Sequence, residues 1–126
     1  MRYVNWLMIR PHYLYLRREC ERPPEAGDPE ASFIACARSS DADALPAEIA
    51  YFPAEAWGRL CAAWDQGQGI VLAALPRDDE PGVGWAFAPD AHRQTLTVTT
   101  PSGHVSSIAA ADWPAIRAKL DAFPPT

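Results

Sequence analysis

No apolar stretch in this 126-residue chain is long enough to cross a bilayer: the longest near the start, residues 4–9, falls far short of the roughly 20 a spanning helix needs. No small-residue cleavage site follows it, so a cytoplasmic, soluble protein is expected. Cysteine is scarce and odd in number. Cys20, Cys36 and Cys61 show no CxxC spacing, which argues against a disulfide framework or a zinc site. Basic charge is short as well, with 11 Lys and Arg against 16 Asp and Glu and a formal charge of -5. Phosphate backbones are held by clustered cations, so direct nucleic-acid binding is not expected.

Catalytic and cofactor signatures are missing too. Gly67, Gly69, Gly82 and Gly84 fit neither phosphate-binding glycine pattern, and Gly67 to Gly69 lead out of a helix rather than into one. His12, His92 and His104 are scattered. His92 and His104 could meet on neighbouring strands, but no acidic residue has second-shell spacing and no HExxH pattern occurs, so neither metal nor cofactor is expected. Ser102 and His104 flank Gly103 in what reads as a turn, not a nucleophile with its base. The pairs Glu19 with Glu21 and Asp41 with Asp43 sit in polar surroundings that would not split their pKa values.

What is present is periodicity. Trp57, Leu60, Cys61 and Trp64 fall at i, i+3, i+4 and i+7, one face of a helix, with Pro53 at its start and Gly67 and Gly69 after it. Cys61 is read as a small core hydrophobe on that stripe. A second stripe, Trp113, Ile116, Leu120 and Phe123, follows Asp112 as N-cap and is closed by Pro124 and Pro125. Residues 3–9 read as a strand, and 12–17 as another or as its continuation past Pro11, with a helix over 13–21 as the alternative. Residues 32–38, 83–88, 95–100 and 104–108 read as further strands. The continuously apolar 70–75 is the expected sheet centre. Gly84, Ala86 and Ala88 form a small-residue face that would admit a helix backbone. Ile49, Trp57 and Leu60 loosely match Ile108, Trp113 and Ile116, but the offsets from Ile to Trp differ, so no repeat is assigned.

The expected fold is α+β over a single domain, residues 1–126: a mostly antiparallel sheet of five to six strands with two amphipathic helices packed on one face. Many of its 13 prolines cluster in segments read as loops.

The charge is unevenly spread. Arg2, Arg10, Arg17, Arg18 and Arg22 face only Glu19 and Glu21 in the first 22 residues, whereas Glu25, Asp28, Glu30, Asp41, Asp43 and Glu48 are balanced by Arg38 alone in 23–48. Such a distribution suits a protein partner with a basic surface. The function expected is therefore non-enzymatic: a small acidic inhibitor or adaptor of the kind that neutralises a toxin or a nucleic-acid-processing enzyme. Its candidate contact residues are the acidic tip Asp78, Asp79 and Glu80, the loop acids Asp41 and Asp43, and the aromatics Tyr13, Tyr15 and Trp85. Two alternatives stand beside it: a small-ligand protein or enzyme using a Thr-rich face with His92 and His104, and a homodimer pairing through the N-terminal strand.

Overall fold

The computed structural model describes residues 3–9, 14–20, 33–37, 48–76 and 82–122. Alternating inward side chains define β1 (Tyr3–Ile9), β2 (Leu14–Cys20), β3 (Phe33–Ala37) and β4 (Glu48–Phe52), followed by α1 (Ala56–Asp65). The same order then recurs: β5 (Ile70–Ala73), β6 (Gly84–Asp90), β7 (Thr95–Thr99), β8 (Val105–Ala109), one 3-10 turn over Ala110–Asp112, and α2 (Trp113–Asp121). The α+β class is as expected. The single sheet of five to six strands is not, because the strands divide into two four-stranded antiparallel meanders, β1-β2-β3-β4 and β5-β6-β7-β8.

The chain is thus a doubled ββββα unit, and the repeat is legible once the right residues are aligned. Phe52, Trp57, Leu60, Trp64 and Asp65 recur 56 residues later as Ile108, Trp113, Ile116, Leu120 and Asp121. Aligning Ile49 with Ile108 breaks the spacing because Ile49 points out of its sheet, whereas Phe52 and Ile108 are both buried.

The helices trade places. The backbone of α1 runs beside β5 and β6, and that of α2 beside β1, so each helix lies along the other unit's sheet rather than both on one face. Both stripes face the core as expected: Trp57, Leu60, Cys61 and Trp64 are buried, as are Trp113, Ile116 and Leu120, while Phe123 lies outside the described residues. The sheets' inner faces meet through aromatic contacts, Phe33 against Phe87 and Phe52 edge-on to both Trp85 and Phe87. Between the helices Trp64 and Trp113 pack edge to face at 4.9 Å.

Each helix has in its first turn a Trp whose indole N–H donates to the Asp that ends the other helix, Trp57 to Asp121 and Trp113 to Asp65. Asp121 also accepts from Arg18, which is 1 % exposed and holds its guanidinium 5.2 Å from the centre of the Trp57 ring. Strand geometry explains the burial, since Arg18 continues the inward series Leu14, Leu16. This also settles residues 14–20 as strand and not helix.

Several local expectations change. The apolar segment at 70–75 holds an edge strand, not the centre of a sheet, and Val71 is exposed. Just past that strand the Leu75 N–H donates to Tyr51 C=O at 2.6 Å, joining the second unit to β4 of the first. Gly84, Ala86 and Ala88 face away from the core and receive no helix; Gly84 instead lies under Val71, whose Cγ1 would stand 2.8 Å from any Cβ placed there. The first helix begins at Ala56, later than Pro53, which accepts the Ala56 N–H in a preceding turn. Asp112 makes no side-chain cap, because the 3-10 turn ahead of α2 already sets it in helical geometry. Gly67 does end α1, in a left-handed conformation at φ +69°.

Candidate functional site

The outer face of the first sheet is built from the residues between its core-facing ones. Register places Met8, Tyr15, Cys36 and Ile49 in one row across the four strands, and Trp6, Arg17, Ile34 and Tyr51 in the next. Trp6 is 54 % exposed, and Met8, Ile49 and Tyr51 are exposed too. Tyr15 is half-buried because it stacks on Trp6, with ring centroids 5.9 Å apart and an interplanar angle of 29°. The charge in the middle of this face is neutralised locally. Arg17 donates to Glu19, and that hydrogen bond raises the guanidinium pKa above its ordinary value.

The second sheet gives an internal standard. The matching outward rows are Val71, Ala86, Thr99 and Val105, then Ala88, Thr97 and Ser107, with nothing larger than valine. A four-stranded meander of this kind therefore forms without large apolar side chains on its outside. Trp6, Met8, Ile49 and Tyr51 have no counterparts of their size in the matching rows of the second sheet.

Of the contact residues expected from sequence, Tyr15 lies on this face. Trp85 does not: at 3 % exposed, with its ring edge-on to Phe52, it belongs to the core, since the Val83, Trp85, Phe87 alternation points inward at Trp85. Tyr13, Asp41, Asp43, Asp78, Asp79 and Glu80 lie outside the described residues. Met8, Ile49 and Tyr51 are the residues sequence reading passed over as contacts. Their signal was the apolar outward set itself, which also hid β4.

The histidine pair does not assemble. His92 sits in the turn before β7 and His104 follows the turn after it, at opposite ends of that strand. No group of three or more metal-ligating side chains occurs among the described residues. His104 belongs to a different cluster, in which Glu48 accepts from Thr100 Oγ1 at 2.5 Å and from Ser102, while Thr100 Oγ1 accepts the His104 N–H at 3.1 Å. Ser102 thus donates to the Glu48 carboxylate, and the cluster ties β4 to the β7–β8 turn.

No helix among the described residues is long and apolar enough to cross a membrane. Comparison with protein-family models, curated proteins and solved structures finds no match to this chain.

Proposed function

We propose that the chain is a non-enzymatic protein-binding module, a small acidic inhibitor or adaptor, that seats a partner protein on the outer face of its first sheet. The observation that carries the reading is the contrast between the two sheets: exposed Trp6, Met8, Ile49 and Tyr51 on one, and on the matching rows of the other only Val71 and Val105 among alanine, threonine and serine. Aromatic and methionine side chains are the types enriched at the centres of interfaces. The partner's chemistry follows from charge. The protein carries a formal charge of -5, and the segments that join β2 to β3 and β3 to β4 in sequence include Glu25, Asp28, Glu30, Asp41 and Asp43. A partner with an apolar patch and a net basic charge matches both features.

The test compares three tagged proteins in lysate of the source cells at low and high salt: wild type, Trp6→Ser/Tyr51→Ser and Val71→Ser/Val105→Ser. Circular dichroism and melting curves verify that all three fold. One protein should be captured by wild type and by the second-sheet variant, lost from the first-sheet variant, and released more readily as salt rises. Equal retention by both variants, or capture of nothing, overturns the proposal. So does a concentration-dependent dimer in sedimentation that Trp6→Ser/Tyr51→Ser dissolves, because the face would then seat a second copy of the chain.

A further inference from the structure

A cleft of about 590 Å³ opens between the end of α1, the turn joining β6 to β7, and the start of α2. None of its lining residues belongs to the outer face of the first sheet. Its size lies within the roughly 300–1,000 Å³ of small-molecule sites. The walls are apolar, formed by Trp64, Leu96 and Trp113 with a strip of small residues around Ala110. The polar groups are gathered on the turn, at Asp90, Arg93 and Gln94.

Three helix tryptophans line the space between the two units, and they are not equally satisfied. Trp57 and Trp113 each donate an indole N–H to an aspartate. Trp64, a wall of the cleft and 5 % exposed, has a buried indole N–H with no hydrogen-bond partner among the described residues. That nitrogen is closed to solvent, so it is the Trp64 ring and not its N–H that borders the cleft.

The rim offers both signs of charge in a form that a ligand can engage. Arg93 Nε stands 3.8 Å from Asp90 Oδ2, a loose contact, and the Arg93 side chain is 80 % exposed. The turn carrying them is held in place, since Asp90 Oδ1 accepts the Arg93 N–H at 3.2 Å and the Gln94 C=O accepts the Ala110 N–H at 2.9 Å. A simple anion would meet Asp90, and a simple cation would meet Arg93. A molecule with one charge of each sign satisfies both.

We propose that this cleft binds a small zwitterion, an α-amino acid with an aromatic or large aliphatic side chain. Its carboxylate faces Arg93, its ammonium faces Asp90, and its side chain lies against Trp64, Leu96 and Trp113. The proposal is independent of the partner surface on the first sheet.

The experiment uses the full chain labelled with nitrogen-15, with L-phenylalanine and L-leucine as probes and phenethylamine and 3-phenylpropionate as analogues lacking one charge each. The Trp64 indole resonance, assigned with Trp64→Phe, should shift on titration with L-phenylalanine, and both analogues should bind at least tenfold more weakly. Arg93→Gln and Asp90→Asn should each weaken L-phenylalanine at least fivefold, and Ala111→Leu, which fills the cleft, should abolish the shift. Trp6→Ser/Tyr51→Ser should leave it unchanged. If both amino acids leave the indole resonance unmoved, the proposal is overturned. Equal binding of the single-charge analogues, or indifference to Arg93→Gln and Asp90→Asn, overturns it as well. Those two exposed substitutions keep the test decisive should Ala111→Leu disturb the fold.

Discussion

Trp57 donates its indole N–H to Asp121 Oδ1 at 2.7 Å, tying the first residues of one helix to the last residue of the other. The same carboxylate receives the buried Arg18, so one side chain links the two helices and β2. Its counterpart Asp65 accepts from Trp113 at 3.1 Å and pairs with Arg117, but both members of that ion pair are 40 % exposed. Asp121→Ala removes the acceptor shared by the buried Arg18 and the Trp57 indole and should cost about 1.5–3 kcal/mol. Asp65→Ala should cost about 1 kcal/mol, because water replaces what is lost. Urea unfolding of the two variants checks the asymmetry; equal losses would contradict the assignment of Arg18 to the core.

The tryptophans of the two sheets should behave in opposite ways. Trp85→Ala opens a cavity beneath Phe52 and should destabilise by about 3–5 kcal/mol. Trp6→Ser removes an exposed ring and should change stability by no more than about 1 kcal/mol. Thermal melts of both variants provide the measurement.

Cysteine reactivity should follow burial. Desolvation pushes the Cys61 thiol from 9.0 up to about 11, so it stays protonated and inert in the native protein at pH 8. Half-buried Cys36 should be alkylated first, and Cys61 only as fast as the chain unfolds. The raised value also sets a sign for stability. Below pH 9 the neutral thiol is present in both states and its contribution is intact; as pH rises from 9 to about 11 the unfolded chain gains the thiolate first, and stability falls. Cys61→Ala should therefore lose less stability than wild type across that interval in paired urea titrations.

Gln94 adopts φ +54°, the left-handed region that a residue with a Cβ enters at a cost. Gln94→Gly should raise stability by about 0.5–1 kcal/mol, the gain from relieved strain exceeding the added freedom of the unfolded chain. A lower melting temperature would show that the Gln94 side chain contributes something that its backbone geometry conceals.

The parts of this fold that were legible in the sequence are those where one face is apolar and the other is not. Both helix stripes met that condition, and so did β7, where Leu96 and Val98 alternate with threonines. β4 did not, because Ile49 and Tyr51 point outward between the buried Ala50 and Phe52 and erase the alternation. The strand was therefore hidden by the residues that make its outer face interesting. Arg18 was obscured for another reason: its partner Asp121 lies 103 residues away, a distance no local pattern spans. Strand pairing was invisible as well. Periodicity tells which face of a strand is buried, but it does not say that eight strands divide into two sheets rather than extending one.

The exchange of helices between the units carries a further consequence. A solitary ββββα segment would present a sheet without its covering helix and a helix without its sheet, and both defects are cured by a second segment in reciprocal orientation. The chain is therefore equivalent to a symmetric pair of half-length subunits joined by the short connection through Gly67 and Gly69. Joining them in one polypeptide frees the halves from having to be identical, which is what allows one sheet to carry Trp6 and Tyr51 while its twin keeps alanine and threonine.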